Sequence, residues 1–252
     1  MIRLPGKPSR KRVAVLILGG GATLIVVVFL LIYFVIFPTS SPKPFKLATS
    51  TATPATAASA ASSASSASVS SGGVGGRWNV ATGSQAGYRV REKLAFLPAQ
   101  SDAVGRTSSI TGAATLTESK GTITIATASF NVAVNTLKSD RSMRDEKIHE
   151  IGLESSRYPT ATFVLAAPVR LTSSAVAGHV TRASVTGVFT IHGTSKKETL
   201  PVEFTLSGSA LEAVGSITFP WGEFGMTAPS VGGFVNVTEK ATMEFDLHLQ
   251  RA

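Results

Sequence analysis

Met243-Glu244-Phe245-Asp246-Leu247-His248-Leu249-Gln250 sets an apolar side chain against a polar one four times in succession. Side chains of an extended strand point alternately to opposite faces, so this stretch predicts a strand with one dry face and one wet face. The same period of two spreads outward from it. Val202, Phe204 and Leu206 interleave with Glu203, Thr205 and Ser207, and Ile123 and Ile125 with threonines. Phe130, Val132 and Val134 interleave with Ser129, Asn131 and Ala133. Ile110, Gly112, Ala114 and Leu116 follow the rule, as do Val185, Gly187, Phe189 and Ile191. Trp78 with Val80, Tyr88 with Val90, Phe163 with Leu165 and Ile217 with Phe219 supply the remaining candidates. Strands that are each apolar on one face close either as a two-sheet sandwich or as a barrel, and alternation alone does not choose.

One stretch departs from this period. Met143, Lys147, Ile148 and Ile151 fall at near-helical spacing between Ser139 and Leu153, with Ser139 or Asp140 as the cap and Gly152 near the end. It predicts one short helix inserted in an all-β domain.

The alternation begins only at residue 77. Before it, residues 1–76 hold seven bases (Arg3, Lys7, Arg10, Lys11, Arg12, Lys43 and Lys46) and no acid. Of the chain's 24 bases, 17 remain to face all 15 acids over residues 77–252, so the net charge of +9 belongs mostly to the N-terminus. A basic surface for nucleic acid is therefore not expected on the domain. Val13 to Phe37 is an uncharged run of 25 residues. As a helix it would be roughly 37 Å long, enough to cross a hydrocarbon core of about 30 Å. The run is too long for a signal peptide's apolar segment and lacks a small-residue cleavage site at its end, which favours an uncleaved anchor. Bases cluster before it, so residues 1–12 are expected in the cytoplasm and the rest of the chain outside. Residues 38–76 read as a linker: between Thr49 and Ser71 only Pro54 and Val69 are not Ala, Ser or Thr. Such a stretch buries too little apolar surface to offset its ordering entropy, and a disordered tether is expected.

Chemistry-bearing motifs are scarce. The chain has no cysteine, which removes disulfides and thiolate sites. His149, His179, His192 and His248 lack the spacing of zinc ligands, and no nucleophile elbow occurs. His248 shares the polar face with Glu244 and Asp246, where a solvated surface is the simplest account. No cofactor, metal or catalytic residue is implied.

Several segments carry a resemblance. Trp78-Asn79-Val80 precedes Ala86-Gly87-Tyr88-Arg89-Val90, and Val104-Gly105-Arg106-Thr107 leads into Ile110-Thr111-Gly112. Leu137-Lys138-Ser139-Asp140, Arg144-Asp145 and Arg157-Tyr158-Pro159-Thr160-Ala161-Thr162-Phe163 come next. The most specific piece is Val185-Thr186-Gly187-Val188-Phe189-Thr190-Ile191-His192-Gly193-Thr194, and Phe224-Gly225-Met226 closes the series. In this order, over residues 77–252, they resemble the YceI-like family of bacterial envelope proteins, often described as polyisoprenoid-binding. The resemblance implies a lipocalin-like antiparallel β-barrel of about eight strands, with a helix-containing insertion and an interior that holds a long apolar lipid. Family members often carry a cleavable secretion signal; this chain departs with its anchor and tether, which suggests work close to the outer leaflet.

A lipid-carrying barrel needs an apolar lining and a polar mouth. The lining candidates are Ile110, Phe130, Val132, Phe163, Val185, Phe189, Ile191, Phe204, Phe219, Phe245 and Leu247, which the bland alternative places in a filled core. Trp78, Tyr88, Phe96, Trp221 and Phe224 are candidates for the mouth, most of them lying near predicted strand ends. Arg144 either meets a headgroup or, as the preferred reading, holds the insertion by a salt bridge. The expected partner is a polyisoprenoid or another long-chain amphiphile. The rival classes are a filled-barrel scaffold that binds another envelope protein and an envelope enzyme of isoprenoid or quinone metabolism.

Overall fold

The computed structural model describes residues 41–47, 73–94, 100–171, 179–231 and 235–252. The chain divides into Met1–Ser41 and Pro42–Ala252, and the second unit contains every strand named below. The expected membrane helix, 13–37, and the Ala/Ser/Thr tract from 49 to 71 lie outside the described residues. Among the described residues, no helix is long and apolar enough to cross a membrane.

The strands are β1 (Gly76–Val80), β2 (Gln85–Leu94), β3 (Gln100–Thr107), β4 (Ile110–Ser119), β5 (Thr122–Ala133) and β6 (Thr160–Leu165). They continue with β7 (Val169–Leu171), β8 (Thr181–Ile191), β9 (Thr194–Ser207), β10 (Ala210–Pro220), β11 (Ser230–Val231) and β12 (Val235–Arg251). All pairings between them are antiparallel. β12 pairs first with β2 and then with β1 along its length, while β3 faces β2 and β4 faces β1. Thus β1–β2 and β3–β4 are each one long strand broken by a kink, and β6–β7 is a third, since both parts pair with β5. Counted this way the ring runs β1/β2, β3/β4, β5, β6/β7, β8, β9, β10, β12 and back to β1/β2. Eight tilted strands enclose an interior just wide enough for side chains or one small ligand. Buried Ser84 holds the kink between β1 and β2: its hydroxyl oxygen meets the Ala81 and His248 carbonyls at 2.9 and 3.0 Å and accepts from the His248 N–H.

Large inward side chains fit because glycines lie beside them on the next strand. A Cβ on Gly187 would fall 2.0 Å from Phe163 Cε2, and one on Gly105 would fall 2.3 Å from Tyr88 Cε1. Gly215 faces Phe245 and Gly112 faces Phe130 in the same relation. The rings therefore lie against bare backbone along the wall, with Phe163 tilted against Phe189 at a centroid distance of 4.8 Å.

The insertion is shorter than the periodicity suggests: α1 is Ser142–Lys147, continued by a wider π turn over Ile148–Gly152. Its cap differs from the expected one. Arg141 stands at the N-cap with no side-chain cap bond, while Ser139 Oγ accepts from the Arg141 N–H and Asp145 accepts from the Ser139 N–H.

On the outer wall, Glu212 of β10 lies opposite His248 of β12, two residues beyond Asp246 on the same face. His248 Nε2 is 3.3 Å from Asp246 Oδ1. Burial, and then the Asp246 charge, raise the Glu212 carboxyl above the ordinary carboxylate range.

Two outcomes are expected. Gly187→Ala forces Phe163 off its seat and costs about 2 kcal/mol in chemical denaturation, whereas Gly222→Ala, with open space at the site, is near neutral. Because Glu212 holds its proton more tightly folded than unfolded, its contribution favours the fold at acid pH and fades as pH rises through the raised value. Glu212→Gln should therefore lose no stability at pH 7, and its Tm relative to the parent should rise as pH increases through the raised value.

Candidate functional site: the barrel lumen

Inward side chains of β4 to β10 and β12 bound an apolar cavity of about 100 Å³. Thr162 is the one polar residue in its lining among the described residues. Of the lining candidates, Phe130, Val132, Phe163, Val185 and Phe189 border this space, together with Ile191, Phe204, Phe245 and Leu247. A second cavity of about 70 Å³ lies beneath the insertion. Leu137, Ile148 and Leu153 close it on one side, and Tyr88, Phe219 and Trp221 on the other. The two spaces adjoin, since Val132, Ala161, Ile191 and Met243 belong to both walls. Among the described residues, neither lining includes a carboxylate, histidine, lysine or arginine.

Several sequence expectations need correction. Ile110 is buried in the core but borders neither cavity. Phe219 lines the second space rather than the first. Trp78 borders neither cavity: it is fully buried, paired with Ala114 of β4 and with Arg251 at the end of β12, and its indole N–H donates to the Val74 carbonyl at 3.1 Å. Phe224 is also buried, edge-on to Phe219 at 4.7 Å, and borders neither cavity. Phe96 lies outside the described residues. Tyr88 and Trp221 do border the cavity under the insertion, Trp221 with its N–H donated to the Thr238 carbonyl at 2.9 Å.

Arg144 does not face either space. Its guanidinium meets Glu92 of β2 bidentately, Nε to Oε1 and Nη2 to Oε2 both at 3.0 Å, and also donates to Asp140. Both Arg144 and Glu92 are largely buried, at 14% and 13% side-chain exposure, so the pair is shielded from solvent. Burial works against the guanidinium charge, but the hydrogen bonds and charge of Glu92, with those of Asp140, outweigh it and raise the Arg144 pKa. His149 adds a second staple: its Nε2 donates to the Leu137 carbonyl at 2.9 Å, and Nδ1 meets Ser155 Oγ at 2.9 Å. The roof over the second cavity is thereby fixed to β2 and to its own base. The Tyr88 hydroxyl sits below this ion pair, its pKa raised by burial while the Arg144 charge pulls it the other way.

Residues that sequence reasoning left out of the site fall into two kinds. Val202, Met243 and Leu249 share the alternating face of chosen neighbours, so their signal was present. Leu137, Ile148 and Leu153 belong to the insertion, whose fold-back over the barrel has no periodic signature.

Comparison with known proteins places this architecture. The YceI-like domain model matches residues 78–249. Among solved structures, a polyisoprenoid-binding domain from Saccharophagus degradans implicated in plant cell wall breakdown is similar at a TM-score of 0.51 and 14% identity. That match covers 71% of this chain and 99% of that one, and it shows a shared fold. BcnA of Burkholderia cenocepacia is 20% identical, with a TM-score of 0.47 over 65% of this chain and 95% of that one. The YceI protein of Campylobacter jejuni is 13% identical, at 0.46 over 59% and 84%. No curated protein matches the chain. The domain match spans more than half of the sequence, and the chain belongs to the YceI-like family.

Proposed function

We propose that this protein holds the hydrocarbon chain of a polyisoprenoid or similar long-chain lipid in its barrel, outside the cytoplasmic membrane and anchored to it by residues 13–37. The observation that carries this reading is the lumen: adjoining free spaces whose linings contain no charged side chain. Unfilled apolar space costs roughly 24 cal/mol per Å³. A cavity of about 100 Å³ therefore destabilises the empty barrel by about 2 kcal/mol, which an apolar ligand recovers. Each buried methylene adds about 0.8 kcal/mol, so ten of them offset most of the cost of immobilising a ligand. Family membership supports the reading, as does the polyisoprenoid-binding description of the Saccharophagus domain.

The four side chains common to both cavities suggest how a long chain passes between them. Ala161 is small and Val132 and Ile191 are β-branched and stiff, whereas Met243 has freely rotating bonds and a soft sulfur. Rotation of Met243 would join the two spaces. The headgroup then lies beyond the insertion end, past Tyr88 and Trp221, where water reaches it. Among the described residues neither lining offers a carboxylate, histidine, lysine or arginine, which favours storage or transport over catalysis.

The direct test is organic extraction of the full-length protein from its native membranes, followed by mass spectrometry. One long-chain isoprenoid per chain is expected; an extract with no lipid enriched over bulk membrane would overturn the reading. Ala213→Phe, which fills the first cavity from β10, should lower the recovered lipid at least about tenfold, the loss of roughly two buried methylenes, while the Arg144–Glu92 closure persists. Equal recovery from Ala213→Phe and the parent would show that the lipid lies elsewhere.

A further inference from the structure

The outer wall of the barrel carries a seat that no solvated strand face requires. Glu244 points outward from β12, yet it is 2% exposed. Arg89 Nε meets its Oε2 at 3.1 Å and Arg106 Nη2 meets its Oε1 at 2.8 Å. Val104, also outward-facing on β3, is 4% exposed and stands outside the main core. The described segment lying on this wall is Pro42–Leu47, part of the stretch that the sequence reads as linker.

The fit between segment and seat is chemical as well as steric. Pro42 and Pro44 lack N–H donors and preset an extended backbone whose carbonyls are free to accept. Arg89 Nη2 donates to the Pro42 carbonyl at 2.7 Å, and Arg106 Nη2 donates to the Lys43 carbonyl at 2.6 Å. The Arg106 guanidinium also lies over the Phe45 ring, 3.8 Å from its centroid. Leu47 ends the segment buried, at 6% exposure, and like Val104 outside the main core. Buried Glu244 thus aims two arginines, and each arginine donates to one carbonyl of a segment that contains two prolines.

We propose that Pro42–Leu47 is a clamp that docks the barrel wall of β2, β3 and β12 onto the membrane-proximal end of the chain. The membrane half of this inference rests on the anchor reading of residues 13–37. Only residues 38–41 then separate the anchor from the docked segment, a reach of at most about 18 Å. A free linker over residues 38–76 would instead have an r.m.s. span of roughly 35 Å. Residues 48–72 become a connection between two points on the same barrel. The clamp, not the Ala/Ser/Thr tract, sets how far the lumen can stray from the bilayer.

The sequence contains its own probe. Lys46 is the last base before Arg77, and the Lys43–Pro44 bond resists trypsin, so Lys46–Leu47 is the one tryptic bond between the segment and β1. Full-length protein in phosphatidylcholine nanodiscs is treated with trypsin, and the fragment beginning at Leu47 is timed by mass spectrometry. Cleavage about tenfold or more slower than in a free peptide of residues 40–52 is expected, because proteolysis tracks the undocked population. A Phe45→Ala, Leu47→Ser double variant, altered only in the docked segment, should be cut at close to the rate of a free peptide carrying the same two changes, with a cooperative melt lowered by only a few degrees. Parent protein cut as fast as the peptide, or a double variant protected like the parent, would overturn the docked clamp. Intact protein washing off the discs would overturn the anchor, and with it the clamp's membrane role, whatever the cleavage rate.

Discussion

An eight-stranded barrel has little interior, and the structure depends on how its aromatic side chains share that space. Four of the large rings are laid against a glycine of the neighbouring strand: Phe163 on Gly187, Tyr88 on Gly105, Phe245 on Gly215 and Phe130 on Gly112. A side chain at any of these glycines would push a ring off the wall and into the lumen. Removing it keeps the ring flat, satisfies close packing along the wall and leaves free space along the axis. The dry core and the open lumen thus come from the same residues, and the two readings that sequence analysis set against each other are not exclusive.

The period-two alternation made the barrel wall legible, because a strand with one buried face must show its inward residues at every second position. What it left out is register. Whether an inward residue borders free space or packs solidly is decided by partners on other strands. Ile110 and Val132 are directly paired in the ladder, yet only Val132 borders the cavities. Trp78 shows the same limit in another form. The Ala81–Ser84 kink reads as a loop between two short strands, but β12 pairs across it, so Trp78 joins a continuous wall and is packed into the core instead of standing free at a rim. Phe224 misled for a similar reason, since the turn after β10 folds it back under Phe219.

Long-range charge pairing was still less visible. The Arg144–Glu92 pair joins residues 52 positions apart, and nothing in either local pattern selects the other. Local pattern says only that an arginine in the insertion would hold it to the barrel or meet a ligand. The geometry commits the guanidinium to both oxygens of one carboxylate, which leaves it no free edge toward the lumen. Breaking such a pair from one side strands a shielded charge, a cost that keeps the roof seated over the second cavity.

Charge is sorted by the wall itself. A carboxylate or guanidinium turned into this lumen would lose its hydration with no partner lining the cavity to replace it. Outward charges therefore accumulate, and on β12 they are dense enough to bury one another: Glu244 between two arginines, Asp246 beside His248. That burial in turn raises the Asp246 carboxyl despite the pull of His248 and Arg106. The same sorting bears on the cargo. A diphosphate drawn fully inside would meet no cation among the described lining residues, so the lumen offers a seat to an apolar chain and none to a charged head. On the outside, the arginines that bury Glu244 also hold Pro42 and Lys43 by their carbonyls.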